Sequence, residues 1–435
     1  MNAESYQSVA RQIREILRSK FAVDSIFNLA SVFVLGISGL LINLFIARHY
    51  GADALGVFNL VYAIYIVTAL VGALGVPMSC LTYVSQYAED PAQCGSIVIG
   101  ALGVTLASAT ACAVALYAAR GAVGSLMSSS DLTTGLAAAT PGLWCFIINK
   151  VLMNVLNGLR EMKAFAVFTM LRYVLICATV PVGAAAGLAG PYVPLCFTVG
   201  ESVLLPALVV FLATRKSVSL NADGFREWSR RHLSFGLRSF LGGIFAELNT
   251  RVDVLMLGYL VSDRLVGIYS FSAMLIEGII QLPYVLRLNM DPIITRLIVA
   301  RQFDELGRIV RQGTLWSLLG MAVVGLLAIG AFPILVLFFV SRPEFMEGWI
   351  PFIVLMVGTV AFGACLPFSG ILIQGGYPGL QTVFIICGCV VNITLNAVLI
   401  PLFGITGAAI ATSLAFCSMV ALLKVFTWYV YGIRI

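Results

Sequence analysis

Residues 251–279 read RVDVLMLGYLVSDRLVGIYSFSAMLIEGI, two apolar runs joined by a short polar turn. A helix needs about 20 mostly apolar residues to cross the roughly 30 Å hydrocarbon layer of a bilayer. Extended outward from this stretch, the two runs reach that length and predict membrane spans over 235–260 and 266–290. Both spans contain ionisable side chains, which are costly in a bilayer, so the stretch also predicts a polar function inside the membrane.

The same pattern fills the rest of the chain. Of its 435 residues, 60% are hydrophobic and 11% are charged, whereas soluble domains carry about a quarter charged residues. Twelve segments are apolar enough to span a bilayer, which predicts an all-α polytopic membrane protein with 12 transmembrane helices. The segments cover residues 25–47, 57–85, 94–118, 136–158, 164–187, 192–214, 235–260, 266–290, 314–340, 349–374, 380–402 and 405–430.

The longest polar connection divides the spans into two groups of six. It covers residues 215–234, which we predict to be a cytoplasmic linker between an N-lobe over 25–214 and a C-lobe over 235–435. The turn between spans one and two reads YGADALGVF, and the turn between spans seven and eight reads LVSDRLVGIY. Both place an Asp shortly before a glycine, Gly56 or Gly267, which indicates an internal duplication.

Basic residues predict the orientation of the spans. Short cytoplasmic loops are enriched in Lys and Arg, and the loops on the same side as the N-terminus hold most of these residues. The opposite loops hold only Arg48, Arg120, Arg264 and Arg342. We therefore predict a multi-pass inner-membrane protein with both termini in the cytoplasm, and an amphipathic cytoplasmic segment over residues 1–24.

Ionisable side chains lie well inside spans four to eight. A charge at the bilayer centre costs about 2.5–3.5 kcal/mol on insertion scales, so such residues indicate functional or paired positions. They cannot face lipid and therefore predict a polar passage within the bundle. These side chains belong to Lys150, Arg172, Glu201, Glu247, Arg251, Asp253 and Glu277.

Pairing and function are competing interpretations of these charges. Glu247 and Arg251 are four residues apart on one helix face and can neutralise each other. Lys150 and Arg172 have no carboxylate three or four residues away, which favours a role toward an anion. The remaining carboxylates can still pair with those two cations across helices, and the sequence leaves this alternative open.

Several classes of protein are disfavoured by the composition. The predicted loops are all short, which leaves no room for the catalytic loop of a membrane glycan polymerase or transferase. The cysteines lie mostly in apolar runs without CxxC spacing and there are only two histidines, so neither a metal centre nor a cofactor is predicted. The net charge of +6 is spread over short loops, so nucleic acid is not a predicted partner. The sequence therefore predicts a transporter and not an enzyme.

Three stretches resemble a known family. Residues 251–279 resemble the seventh and eighth helices of polysaccharide-exporting flippases, which belong to the multidrug/oligosaccharidyl-lipid/polysaccharide exporter superfamily. Residues 392–415, NITLNAVLIPLFGITGAAIATSLA, are similar to helices eleven and twelve of that family, and residues 47–64, ARHYGADALGVFNLVYAI, to its first helix pair. The resemblance covers nearly the whole chain.

The resemblance implies a fold and a cargo. The expected fold has two six-helix lobes that form a V around a central cavity and move by alternating access. The expected cargo is an undecaprenyl-pyrophosphate-linked oligosaccharide, moved across the inner membrane for polysaccharide, O-antigen (lipopolysaccharide) or exopolysaccharide biosynthesis. Membrane lipids, a polysaccharide polymerase and chain-length machinery are the partners that it implies.

The resemblance also implies roles for the intramembrane polar residues. Cations would hold the lipid phosphate or anionic sugars, since Arg binds phosphate bidentately and Lys acts as a point charge. The expected phosphate-binding cations are Arg251, Arg172 and Lys150, and Arg48 and Arg238, near opposite membrane faces, are secondary candidates. The expected sugar contacts are Asn154, Asn157 and Gln281. The candidates for coupling to a proton or sodium gradient, or for structural pairing, are Glu247, Asp253, Glu277 and Glu201.

Other functions on related architectures compete with this hypothesis. A multidrug/cation antiporter of the multidrug and toxin extrusion type would use the acidic residues, although the buried Arg and Lys argue against it. A peptidoglycan lipid II flippase usually has fourteen helices, two more than are predicted here. A membrane glycan polymerase or transferase is the third alternative.

Overall fold

The computed structural model of the chain describes residues 20–215, 219 and 222–432, and most of the predicted surface segment over residues 1–24 lies outside them. The described part is helical almost throughout. Its α-helices are α1 (Lys20–His49), α2 (Ala52–Ala73), α3 (Val76–Gln86), α4 (Pro91–Leu126), α5 (Ser130–Gly158), α6 (Met162–Ala185), α7 (Leu195–Ala213), α8 (Phe225–Leu260), α9 (Asp263–Val299), α10 (Phe303–Ile334), α11 (Trp349–Cys365), α12 (Ile371–Gln374) and α13 (Pro378–Tyr431).

The twelve predicted spans correspond to these helices. Ten helical segments of the described chain are long and apolar enough to cross a membrane. The longest, α13, is two spans, because Gly404 breaks it with a φ of 57° and a ψ of −134°. The remaining span is α8, whose charged residues lower its mean hydropathy. The ten segments, with α13 counted as two spans and α8 added, give twelve spans. The all-α, twelve-span prediction is confirmed.

The second span differs from the prediction. The expected single helix over 57–85 is two helices, since Leu74 and Gly75 both adopt positive φ angles, 48° and 69°. The sequence indicates a kink at Pro77, whereas the observed break precedes this residue, and Pro77 lies near the start of α3. A Cβ on Gly75 would lie 2.5 Å from the carbonyl oxygen of Gly236, so the break brings the α2–α3 backbone directly against α8.

The lobes meet where α2 crosses α9, close to the two turns of the duplicated motif. A Cβ on Gly56 would lie 1.9 Å from the Asp263 carbonyl oxygen, and a Cβ on Gly267 would lie 1.9 Å from the Ala52 carbonyl oxygen. The contact is therefore reciprocal, and both positions require glycine because the backbones touch. We call this end of the molecule the crossing end, and the opposite end, where α7 leads into α8, the linker end.

A single hydrophobic core crosses from one lobe to the other at the crossing end. It joins Leu55 and Leu60 of α2 to Leu257 of α8 and to Val266 and Tyr269 of α9, all nearly inaccessible to solvent. Two further cores lie toward the linker end, one centred on α3 to α7 and the other on α9 to α13. The lobes therefore share one core at the crossing end. Toward the linker end each lobe has a core of its own, and the start of α8 packs into that of the N-lobe through Trp228.

The two seams between the lobes are unequal. Helix α8 packs along α2, α3 and α4, and it begins at Phe225, inside the predicted linker. On the other seam α1 makes little contact with α9. From Glu277 onward most side chains of α9 are exposed, so this half of α9 has left the N-lobe. The result is a V-shaped cleft that opens toward the linker end on the α1–α9 side.

Candidate functional site

The N-lobe part of the site contains a buried ion pair. Arg172 of α6 places its Nε 2.8 Å from Oε1 of Glu201 on α7, and Glu201 is 1% exposed. Asn149 of α5 donates to the other carboxylate oxygen of Glu201 at 2.8 Å and to its carbonyl oxygen at 3.0 Å. Arg172 is therefore paired with a carboxylate on another helix, which is the alternative that the sequence left open. The favoured interpretation, an unpaired Arg172, is not what the structure shows. The reason is that Glu201 reaches it from a separate helix.

Lys150 lies beside this pair but is not part of it. Its ammonium is 5.2 Å from the centroid of the Phe146 ring, and the guanidinium of Arg172 is 5.1 Å from the same ring. Lys150 is half-buried and has no ion pair with any described residue. Lys150 therefore presents a membrane-embedded positive charge toward the cleft.

The C-lobe part of the site is centred on Arg251. Its Nε lies 3.4 Å from Oε1 of Glu247 on α8, and its Nη1 lies 3.3 Å from Oε1 of Glu277 on α9. Its guanidinium is 5.0 Å from the centroid of the Tyr62 ring, which belongs to α2 of the N-lobe. The side chain of Glu277 is 55% exposed and that of Arg251 is 19% exposed. This cluster therefore spans both lobes and lines the cleft.

Asp253 is separate from that cluster. It is buried and accepts a hydrogen bond of 2.5 Å from the hydroxyl of Tyr269 on α9. Both groups belong to the C-lobe. A carboxyl held by a neutral hydroxyl in an apolar surrounding can take up a proton or cation without breaking an ion pair, which keeps Asp253 among the coupling candidates.

The predicted sugar contacts are dispersed. Asn154 is half-buried and donates to the Lys150 carbonyl oxygen at 2.8 Å, within its own helix. Asn157 is half-buried one turn further along α5, and Gln281 is exposed on α9, one turn beyond Glu277. The amide of Asn154 keeps an acceptor available, and all three residues lie on the linker-end side of the charged cluster.

Aromatic and amide neighbours of the charges were missed by the sequence analysis. Tyr62 and Tyr65 are three residues apart on one face of α2, and their spacing was the available signal. The buried hydroxyl of Tyr65 and both the Nε and the Nη2 of Arg172 have no hydrogen-bond partner within the described chain, so Arg172 is held by charge and not by a hydrogen bond. Phe146 and Asn149 carry no sequence signal beyond their position next to Lys150. Only the packing of three helices reveals their role.

A set of polar contacts closes the crossing end, and we call it the crossing-end latch. Arg342 donates to the carbonyl oxygens of Arg48 and His49, each at 3.0 Å, and Glu344 accepts the Ala52 N–H at 3.2 Å. The last carbonyls and first N–H groups of helices have no partner within the helix, so these two C-lobe side chains cap the end of α1 and the start of α2. Arg48 itself donates to the Phe339 carbonyl oxygen at 3.0 Å.

Comparisons with known proteins agree with this architecture. The family model described as "Polysaccharide biosynthesis protein" matches residues 22–290, more than half of the chain, and the MatE model matches residues 240–398. An uncharacterized membrane protein of Methanocaldococcus jannaschii is 25% identical over 183 residues. That alignment covers 42% of this chain and 41% of the relative, so it spans less than half of either protein.

Two solved structures share the fold. The lipid II flippase MurJ in an inward closed conformation has a TM-score of 0.72 at 15% identity, covering 92% of this chain and 87% of MurJ. An inward-facing multidrug resistance MATE family transporter has a TM-score of 0.73 at 13% identity, covering 94% of this chain and 98% of that chain. At these identities the likeness concerns the fold alone.

Together, the family model, the twelve spans and the V-shaped pair of lobes show that the chain belongs to the polysaccharide biosynthesis protein family and is a transporter of the multidrug/oligosaccharidyl-lipid/polysaccharide exporter superfamily.

Proposed function

We propose that this transporter is a flippase that moves undecaprenyl-pyrophosphate-linked oligosaccharides from the cytoplasmic to the outer leaflet of the inner membrane. Both termini are cytoplasmic in this proposal, and the cleft at the linker end faces the cytoplasm. The observation that carries the proposal is Lys150, a positive charge retained inside the membrane without an ion-pair partner in the described structure. Such a charge is costly unless a ligand or water offsets the cost, and an anionic ligand offsets it best.

Arg251 supports the proposal through the length of its contacts. Charge-assisted hydrogen bonds are usually about 2.7–2.9 Å long. The hydrogen bonds of Arg251 to Glu247 and Glu277 are 3.4 and 3.3 Å long, beyond this range, and the side chain of Glu277 is 55% exposed. Arg251 is therefore held loosely and can exchange its carboxylates for a pyrophosphate. We assign phosphate binding to Lys150 and Arg251, and a supporting role to Arg172.

The geometry of the cleft suits an amphiphilic cargo. The α1–α9 seam, where the lobes barely touch, gives an isoprenoid chain a path to remain in lipid while its headgroup enters the cleft. The exposed amide of Gln281 and the half-buried amides of Asn154 and Asn157 lie on the way in and can bind sugar hydroxyls. A polysaccharide polymerase and chain-length machinery would then use the translocated units.

The test is an assay of lipid-linked oligosaccharide at each leaflet in cells that lack the protein. We expect the oligosaccharide to accumulate at the cytoplasmic leaflet, and expression of the wild-type chain to restore its appearance at the outer leaflet. Arg251→Ala is expected to fail in this complementation, while Arg308→Ala, an exposed residue paired with Glu305, is expected to complement fully. Unchanged outer-leaflet oligosaccharide in the deletion strain would overturn the proposal.

A multidrug/cation antiporter is the second candidate, and the carboxylates of the cleft favour it. Glu277 is 55% exposed and the side chain of Glu247 is 33% exposed, so both can meet a cationic drug, and the MatE model matches this half of the chain. In this reading Glu277 and Asp253 couple export to a proton or sodium gradient. Hypersensitivity of the deletion strain to cationic drugs, with normal glycan export, would decide for this candidate.

A further inference from the structure

A cationic pocket lies at the linker end, away from the charged cluster of the cleft. It is a cavity of about 630 Å³ between α3 of the N-lobe and the first turns of α8. The residues that carry the argument are Tyr83 on α3 and Arg230, Arg231, Ser234, Phe235 and Arg238 on α8.

The pocket has an excess of positive charge. Arg231 is paired with Glu227 at 2.5 Å, and Glu227 is the one carboxylate in the lining. Arg230 and Arg238 are exposed and have no ion pair in the described parts of the chain. They lie eight residues apart, with Ser234 midway, so all three share one face of the helix. Two unpaired guanidinium groups therefore flank a hydroxyl, an arrangement suited to a phosphate group.

The helix that carries these arginines is held firmly. Trp228 and His232 are buried beneath the pocket, and the two ring nitrogens of His232 lie 2.7 Å from the Ser79 hydroxyl and 3.0 Å from the Ile97 carbonyl oxygen. The Tyr83 ring packs edge-on against Trp228 and Phe235. The start of α8 is thus fixed to the N-lobe, so the arginines need little ordering when a ligand binds.

The surroundings of the pocket suit a lipid. Leu233 and Leu237 lie four residues apart on the same turns of α8 and are 38% and 50% exposed. The apolar, membrane-crossing part of α8 follows directly, so the pocket lies at the level of the lipid headgroups. Basic residues near this level attract anionic lipids, and an exposed apolar stripe beside them accommodates an acyl chain.

We propose that this pocket binds the phosphate of an anionic phospholipid, with an acyl chain along Leu233 and Leu237. The bound lipid contacts Tyr83 on α3 and the arginines on α8, so it stabilises the α3–α8 seam while the α1–α9 seam stays open. This site is independent of the transported substrate, and the proposal holds whether the cargo is a lipid-linked oligosaccharide or a drug.

The test is native mass spectrometry of the detergent-solubilised full-length protein titrated with dioleoyl phosphatidylglycerol. We expect Arg230→Gln combined with Arg238→Gln to raise the dissociation constant by at least about tenfold. The matched control combines Arg226→Gln with Arg308→Gln, which removes the same charge from exposed positions outside the pocket, and we expect a change of less than about twofold. Ser234→Trp keeps both arginines but fills the pocket, and it is expected to weaken binding as well.

Two further measurements with the same method identify the ligand. Dioleoyl phosphatidylcholine is expected to bind equally weakly to all variants, and inorganic pyrophosphate is expected not to displace phosphatidylglycerol. The proposal is overturned if the control pair weakens phosphatidylglycerol binding as much as the pocket pair does. It is also overturned if Ser234→Trp leaves binding unchanged, or if pyrophosphate alone occupies the pocket, which would assign it to a free phosphate.

Discussion

Lys150 and Arg172 contact the same aromatic ring but differ in what balances their charge. The carboxylate of Glu201 lies 2.8 Å from Arg172, whereas Lys150 lies over the face of Phe146 and forms no ion pair with any described residue. A paired buried cation mainly supports the fold, because removal of one partner leaves the other charge uncompensated. An unpaired one contributes little to stability and is available to a ligand. The two cations should therefore respond differently to the same substitution.

Lys150→Ala is expected to abolish most glycan export while the protein remains folded. Loss of a charged partner for the substrate phosphate costs about 1.5–3 kcal/mol, or roughly a 10- to 100-fold reduction in binding. Export in complemented cells and thermal unfolding of the purified variant are the measurements. Lys150→Arg retains the charge and is expected to restore part of the export. Native export by Lys150→Ala would remove the central support for a cationic substrate site.

Arg172→Ala is expected to destabilise the protein itself. The substitution leaves Glu201 buried and unpaired, which costs about 3–5 kcal/mol. The unfolding midpoint and the amount of folded protein in the membrane should both fall. The matched control is the double variant Arg172→Ala/Glu201→Gln, which removes both charges and is expected to regain part of the lost stability. If the single variant is as stable as wild type but inactive, Arg172 contacts substrate and is not a structural residue.

At the scale of elements, the contact of α2 with α9 depends on the two glycines of the duplicated turn motif. Each would place a Cβ 1.9 Å from a carbonyl oxygen of the partner helix, closer than any real contact allows. Backbones this close exclude water and let the flanking Leu and Val side chains of the shared core interlock. The motif therefore determines where the lobes touch.

Gly56→Ala is expected to force α2 and α9 apart. Overpacking of a close contact costs about 1–3 kcal/mol, and no flexible side chain is available to move aside because the obstructing atom is backbone. Thermal unfolding should show the loss, and export should fall with it. Gly278→Ala is the control, because a Cβ at this position of α9 meets nothing within 4 Å. Equal stability of the two variants would mean that the crossing tolerates separation.

On the scale of the whole molecule, the two seams between the lobes are packed unequally. The duplicated motif relates α2 to α9 and the α2–α8 seam to the α1–α9 seam, yet α8 is packed along its seam and α1 hardly touches α9. The difference arises from the α2–α3 break, which lets Gly75 contact Gly236, and from the buried anchor of Trp228. The lobes are therefore joined closely along one seam and only loosely along the other.

Glu344→Gln is expected to loosen the crossing end. A carboxylate that caps the Ala52 N–H is replaced by a weaker acceptor, and Arg264, 3.6 Å from that carboxylate, loses part of its pairing. Hydrogen exchange of the amides in residues 49–56 should become about tenfold faster, as expected for the loss of roughly 1.4 kcal/mol of local stability. Exchange in this turn that matches wild type would show that the latch is incidental to closure.

Arg120→Gln provides the control for the latch. Arg120 is half-buried at the same end, and its side chain contacts the ring and the carbonyl oxygen of Tyr117 in its own helix. We expect no change in the exchange of residues 49–56 in this variant. A similar acceleration in both variants would indicate a general effect of removing charge from this end.

The sequence alone was sufficient to predict the membrane fold, the twelve spans and the two turn glycines, Gly56 and Gly267. Hydropathy and turn chemistry are local properties, so a run of apolar residues predicts a span wherever it occurs. The distribution of basic residues is a local property as well, and it places Arg48, Arg120, Arg264 and Arg342 in loops on one side. Three of these, Arg48, Arg264 and Arg342, lie together at the crossing end. The break at Leu74–Gly75 was not predicted, because it depends on contact with a helix more than 150 residues away.

Only the tertiary structure decided which intramembrane charges are paired. Lys150 and Arg172 look alike in the sequence, since neither has a carboxylate within a turn of its own helix. Glu201 reaches Arg172, and Glu277 reaches Arg251, through the rotation and packing of separate helices. An ion pair depends on a separation of a few ångströms, and that separation between helices is set by side-chain packing, which no local pattern of residues encodes.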